Sequence, residues 1–107
     1  MLAKTKRLPK QAFGERYMSR ERFSYGSIGV LPYSPAGAAV VVSKKVAPRA
    51  HDRNRIRRRT YHALGKALDG RALLKSVVIF PTRSVLTADF TDLALEIQRV
   101  IGARIEA

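Results

Sequence analysis

Five arginines lie within seven residues of this chain, and the guanidinium group is the chemistry that sets the sequence apart. The cluster runs R-N-R-I-R-R-R from Arg53 to Arg59 and contains no acidic residue. A planar guanidinium fork matches two phosphate oxygens at once, and a helix N-terminus already favours anions. Because like charges at this spacing repel, we expect a polyanion on these residues rather than a face exposed only to water. The predicted phosphate contacts are Arg53, Arg55, Arg57 and Arg58.

Two further features border the cluster. Ser43, Lys44 and Lys45 follow a valine run. The two lysines could make further phosphate contacts, or they could be strand-end charges whose only effect is on solubility. Asn54 could bond a base edge or a 2′-hydroxyl, or it could organise the loop before the helix. These alternatives stay open from the residues alone.

Aromatic residues could add stacking surfaces to this basic chemistry. Phe13 and Tyr17 are four apart and share a helix face, while Tyr25 and Tyr33 belong to the strand region that follows. Aromatic rings beside a basic surface stack unpaired bases. The spacing of Phe13 and Tyr17 is equally that of a core-facing helix, and from the residues alone core packing is favoured for this pair.

Other chemistries find little support. His51 and His62 are eleven apart with no cysteine in the chain, so neither a zinc site nor a catalytic pair is expected. Asp92 and Glu96 could hold magnesium. A favourable interaction of acidic side chains with the positive end of a helix dipole explains them better. No Gly-rich phosphate loop and no serine triad occur. We expect no catalytic residue and no metal ligand in this chain.

Composition and net charge limit the classes of protein to which this chain can belong. The 107 residues carry a formal net charge of +13 and are 46% hydrophobic, which predicts one folded nucleic-acid-binding domain over residues 1–107. No apolar stretch is long enough to span a bilayer and the N-terminus lacks a secretory h-region, so a soluble cytoplasmic protein is expected. Basic residues concentrate in segments 1–22 and 44–59, which should together form one face.

The elements that must position these residues follow from periodicity and breakers. The predicted order is a helix over 10–20, a strand over 22–33, a strand over 38–46, a helix over 53–68, a strand over 77–80 and a helix from 91 or 92 to 104. Asp52 is the expected N-cap of the arginine helix and Asp69-Gly70 its exit. The valine run predicts a strand buried on both faces. A basic helix between two strands indicates a β-α-β crossover in a small α/β sandwich.

The segment Val42-Ser43-Lys44-Lys45-Val46, followed by R-N-R-I-R-R from Arg53, resembles the bacterial ribonuclease P protein component. Lys6-Arg7-Leu8 near the start, the Phe13 and Tyr17 pair, the strand over 77–80 and an amphipathic last helix match as well. The resemblance covers essentially the whole chain. Two linked motifs at about the right separation make it specific.

The resemblance implies an α-β-β-β-α-β-α sandwich with a left-handed β-α-β crossover, and therefore one more strand within residues 22–46. It implies a subunit of ribonuclease P that binds the catalytic RNA and the 5′ leader of precursor tRNA and assists removal of the leader. Magnesium would be bound mainly by the RNA, in a one-to-one complex. The implied RNA contacts are Arg53, Asn54, Arg55, Arg57, Arg58, Lys44 and Lys45, and the implied leader cleft is Phe13, Tyr17, Tyr33 and Ser43.

The chain departs from the family pattern at three points. Ala47-Pro48 stands where the family usually has glycine, and one extra residue precedes Arg53. Tyr61 occupies a usually basic position late in the arginine helix, with Arg59 as a possible substitute. A structural RNA-binding protein of the ribosome is the alternative function, and a stand-alone metal-dependent nuclease is a third.

Overall fold

The computed structural model describes residues 19–32 and 36–102. The helix predicted over 10–20 falls outside these residues, apart from its last two positions, which belong to a strand. The elements are, in order, β1 (Ser19–Phe23), β2 (Gly26–Leu31), β3 (Ala38–Val40), α1 (Ala50–Leu68), β4 (Ser76–Pro81), a 3-10 helix (Arg83–Leu86) and α2 (Phe90–Ile101). The mixed α/β class is confirmed.

The sheet has four strands in the order β1-β2-β4-β3. Strands β1 and β2 form an antiparallel hairpin, and β2 pairs antiparallel with β4. The single strand predicted over 22–33 is therefore wrong, because the chain reverses at Ser24 and Tyr25. Gly26 begins β2 at φ +150°, where an added Cβ would lie 2.2 Å from the carbonyl oxygen of Phe80. Any other residue at position 26 would clash with the backbone of β4, so glycine is required for β2 and β4 to pair here.

Strand β3 pairs in parallel with β4, and α1 connects the two, which confirms the predicted crossover. The left hand of that crossover stays a prediction. The strand is shorter than expected, since residues 44–46 form a turn in which Val46 and Ala47 donate backbone N–H groups to the Ser43 carbonyl. Val41 is 38% exposed between buried Val40 and Val42. Burial of the whole valine run on both faces is therefore wrong.

Helix α1 begins three residues earlier than predicted. Its N-cap is Arg49, not Asp52, which lies in the first turn and pairs with Arg83 at 3.6 Å. The predicted exit is confirmed, because Asp69 adopts a left-handed conformation at φ 48° and Gly70 follows at φ 78°. The apolar or small side chains at helical spacing along α1 are all buried: Ile56, Thr60, Ala63, Leu64 and Ala67.

Helix α2 begins at Phe90, and its N-cap Asp89 accepts the Asp92 backbone N–H at 3.0 Å. Both helices pack on one face of the sheet, where Ile28 and Ile79 meet Leu64 and Ile97. Leu31, Ala39 and Val78 form a second buried cluster on the opposite face. Of the helices in the described part of the chain, none is long and apolar enough to cross a membrane.

Candidate nucleic-acid interface

One face of α1 carries basic side chains along its whole length. These residues follow one another at intervals of four, three, four and four, which places them on a single line along the helix. All of them are exposed, and we call them the basic face of α1: His51, Arg55, Arg58, His62 and Lys66. Within residues 19–32 and 36–102, Arg55 and Arg58 make no hydrogen bond or ion pair.

The start of α1 is fixed by Arg53. Its Nη1 donates to the carbonyl oxygens of Ala47 at 3.0 Å and Pro48 at 2.7 Å. The Arg53 backbone N–H donates to the Arg49 carbonyl, so the unpaired N–H groups of the helix lie upstream of the arginines. The expectation that the arginines lie at the N-terminal turn, where the backbone N–H groups are unpaired, is therefore wrong. The arginine cluster begins about one turn later in the helix. Both of these side-chain hydrogen bonds use Nη1 of Arg53.

Asn54 has a definite local partner. Its Oδ1 accepts a hydrogen bond from Nη1 of Arg57 at 2.8 Å. The amide thus orients one guanidinium of the cluster, which is a structural use of Asn54. Asn54 lies inside α1, so the alternative that it organises the loop before the helix is wrong, and its contact with RNA stays a prediction.

Arg59 points away from the basic face. Its Nε donates to the carbonyl oxygen of Val85 at 2.9 Å, and its Nη2 donates to that of Ala88. The side chain is half-buried and connects α1 to the 3-10 helix and to the segment that follows it. It does not replace the missing basic residue at position 61.

Tyr61 itself is buried at 8% exposure, and its hydroxyl accepts the backbone N–H of Val40 at 3.1 Å. The position that is usually basic in the family therefore supports β3 in this chain. Sequence reasoning missed this contact, since nothing in the spacing indicates which strand lies opposite Tyr61.

Lys44 and Lys45 are exposed, but they lie in a turn after β3 and not in the predicted strand. Ser43 closes that turn, because its carbonyl accepts two backbone N–H groups and its Oγ lies 3.4 Å from the Val46 nitrogen. The turn leads directly into the Ala47 and Pro48 carbonyls that Arg53 binds. The two lysines and the arginines therefore belong to one connected segment.

The predicted leader-cleft aromatics Phe13, Tyr17 and Tyr33 lie outside the described residues. The face of the sheet opposite the two helices nonetheless shows basic and aromatic groups together. The guanidinium carbon of Arg20 lies 4.7 Å from the ring centroid of Phe80. An open depression of about 390 Å³ lies beside them, lined in part by Arg22, Ser27 and Phe80. Sequence reasoning missed these residues, although the alternation of β1 and β4 places them on one face.

The acidic residues near α2 are engaged with protein groups. The Tyr25 hydroxyl donates to Asp92, and this bond together with burial raises the pKa of Tyr25. Arg99 at 3.1 Å, and then the Ser24 hydroxyl, hold the pKa of Glu96 below its usual value. In the described part of the chain no group of three or more His, Cys, Asp or Glu could hold a metal.

This fold and surface define a class of small basic α/β domains built on an arginine-bearing crossover helix. The family model for Ribonuclease P matches residues 2–104, and the chain belongs to the ribonuclease P protein family. The resemblance stated from the motifs is thereby confirmed.

Among solved structures, the chain is similar to one of a Staphylococcus aureus RNase P protein mutant with defective mRNA degradation activity. The TM-score is 0.72 at 16% identity, with 96% of this chain and 92% of that chain covered. A likeness at this identity shows the shared fold. No curated protein matches the chain.

Proposed function

We propose that this ribonuclease P protein binds the catalytic RNA of the enzyme through the basic face of α1. The carrying observation is that Arg55 and Arg58 stay exposed and without a partner among the described residues, while Arg53 and Arg59 on the same helix are held by backbone carbonyls. Guanidinium groups left without an acidic partner fit the phosphates of folded RNA. Lys44, Lys45, Asn54 and Arg57 extend this surface.

The second part of the proposal concerns the 5′ leader of precursor tRNA. Phe13, Tyr17, Tyr33 and Ser43 are assigned to it by resemblance alone. Arg20 and Phe80 support the assignment, because they place a cation and an aromatic ring on the open face of the sheet. Single strands bind such surfaces by stacking and by phosphate contacts.

Hydrolysis is assigned to the RNA partner. RNA-bound magnesium ions would activate the attacking water and stabilise the leaving oxygen, as two-metal sites do. The protein would neutralise phosphates where RNA strands crowd together, which favours magnesium occupancy and substrate binding. The working complex in this proposal has one protein and one RNA and acts in the cytoplasm.

Reconstitution with a ribonuclease P RNA from the same organism tests the proposal. At low magnesium, the protein should increase the rate of 5′ maturation and should improve binding of precursor tRNA over mature tRNA. Equal effects on both tRNAs would contradict the leader assignment. No effect on maturation would contradict the proposed subunit function.

Salt dependence gives an independent measure of the phosphate contacts. If about 6–10 phosphates are contacted, affinity for the RNA should fall about 10³- to 10⁵-fold between 50 and 200 mM salt. A nearly flat dependence in filter binding would contradict an interface built on arginine and phosphate.

A further inference from the structure

The basic face of α1 continues well past the arginine cluster. His62 lies one turn beyond Arg58, and Lys66 lies one turn further. At a rise of about 1.5 Å per residue, Lys66 is about 16 Å along the axis from Arg55. An RNA strand on the arginines therefore has a continuous basic track to follow toward the C-terminal end of the helix.

An aromatic ring from a different element stands beside this second half of the track. The centroid of the Phe90 ring lies 4.9 Å from that of His62 at an interplanar angle of 59°. Nζ of Lys66 lies 5.7 Å from the same Phe90 centroid. Phe90 also packs against the main core, so it can hold both α1 side chains in place.

The side chains around this group have the chemistry of a nucleotide site. An open groove of about 300 Å³ runs beside Lys66. It is lined at the end of α1 by Lys66, Ala67 and one acidic residue, Asp69, and on the α2 side by Thr91, Ala94, Leu95 and Gln98. Leu95 is 58% exposed, which leaves apolar surface for contact with a base. The Gln98 amide can bond base edges, and the Lys66 ammonium can bind phosphate.

We propose that His62, Lys66 and Phe90 form a second contact for an unpaired nucleotide of the RNA that lies on Arg55 and Arg58. The exposed imidazole of His62 stacks the base, Phe90 positions that imidazole, and Lys66 binds the neighbouring phosphate. This inference rests on the proposed function, because it needs an RNA on the arginines. Its occupant follows from the positive charge and from continuity with the basic face.

Equilibrium binding of the full-length protein to transcribed ribonuclease P RNA tests the assignment. His62→Ala should weaken binding about 5- to 30-fold, the loss expected when one base loses its stacking partner. His62→Phe should restore most of that affinity, since it keeps a ring. Binding by His62→Ala at the wild-type level, or no recovery in His62→Phe, would overturn the stacking role.

The other two residues have separate readouts. Lys66→Ala should lower the slope of log affinity against log salt by about 0.7–0.9, as loss of one phosphate contact requires. Arg99→Ala is the matched control, because it removes the same charge from an exposed residue that pairs with Glu96. An unchanged slope in Lys66→Ala, or the same change in Arg99→Ala, would overturn the phosphate contact.

Phe90→Leu tests positioning, with Phe90→Tyr as the conservative variant. Phe90→Leu should lose affinity to the extent that His62→Ala does, and adding His62→Ala to it should cost little more. Phe90→Tyr should bind as the wild type does. Full additivity of the two losses would overturn the positioning role.

Variants of the arginines distinguish a failure of this inference from a failure of the proposed function. Loss of binding in an Arg55→Ala, Arg58→Ala protein, with wild-type binding in His62→Ala and Lys66→Ala, would overturn the second contact and leave the proposed function intact. A wild-type protein that does not bind the RNA would overturn both.

Discussion

Arg58 and Arg59 are neighbours in the chain, yet they belong to two regions of α1 with different surroundings. Arg58 lies on the basic face, exposed and without a partner among the described residues. Arg59 lies on the flank that meets the 3-10 helix, where the carbonyls of Val85 and Ala88 take up its guanidinium. The same type of side chain is left exposed in one region and is bonded to the fold in the other.

The difference shows that charge density alone does not identify a binding residue. What decides the role is whether the next element offers acceptors within reach. The carbonyls of Ala47 and Pro48 make Arg53 an intermediate case, with one nitrogen committed to the fold and the others available. The arginine cluster thus combines exposed guanidinium groups with ones that are bonded to backbone carbonyls.

The largest expected effect is on RNA affinity. Arg55→Ala with Arg58→Ala should weaken binding to ribonuclease P RNA by about 100-fold or more, because two charge-assisted contacts of about 1.5–3 kcal/mol each are removed. The melting temperature should change little, since neither side chain bonds a described residue. Filter binding and thermal unfolding measure the two quantities, and a large drop in melting temperature would make these arginines structural.

For Arg59→Met we expect a loss of stability and only a small loss of RNA affinity. This change keeps an unbranched side chain but leaves two carbonyls without their donor, so the free energy of unfolding should fall by about 1.5–3 kcal/mol. Urea unfolding measures it. At a temperature where both proteins are folded, RNA affinity should change far less than in the Arg55 and Arg58 variant. Equal losses of affinity would erase the distinction between the two regions.

Tyr61→Phe probes the flank of α1 that supports the sheet. Removing the hydroxyl leaves the buried N–H of Val40 without the acceptor it has at 3.1 Å, which should cost about 1–2 kcal/mol of stability. Hydrogen exchange at the Val40 amide should speed up more than exchange in α2. Unchanged exchange at Val40 would show that the bond contributes nothing to β3.

The smallest effect is expected at Glu96, which lies on α2 and is not part of the basic face of α1. Its pKa is lowered in the folded protein by Arg99 and Ser24, so the carboxylate stabilises the fold above the usual carboxyl pKa. That contribution is lost as pH falls through the folded pKa. Glu96→Gln should therefore melt lower than wild type at neutral pH, and the gap should close in acid. A gap that widens in acid would contradict the sign.

Much of the fold followed from periodicity. The buried stripe of α1 and the exit at Asp69-Gly70 could be predicted because helical spacing and turn residues act locally. The hairpin between β1 and β2 could not, since Gly26 is needed for its approach to β4, a strand more than forty residues later. The early start of α1 was missed because Arg49 caps the helix without a side-chain hydrogen bond.

The exposed basic surface was predictable in kind but not in detail, and its contact with RNA stays a prediction. Arginine spacing indicated a phosphate-binding surface, and the linked motifs indicated the family. The partners of Arg53 and Arg59 are backbone carbonyls, which any sequence supplies, so the pattern could not separate these two from Arg55 and Arg58. Phe90 beside His62 joins two helices, and only their packing brings the rings together.

Helix α1 ends in a way that costs the protein stability. Asp69 holds a left-handed backbone without being glycine, and its carboxylate sits at the negative end of the helix dipole. Both terms are unfavourable, so Asp69→Gly should raise the free energy of unfolding by about 1 kcal/mol. The C-terminal end of α1 is therefore a position at which a single substitution should give a more stable protein.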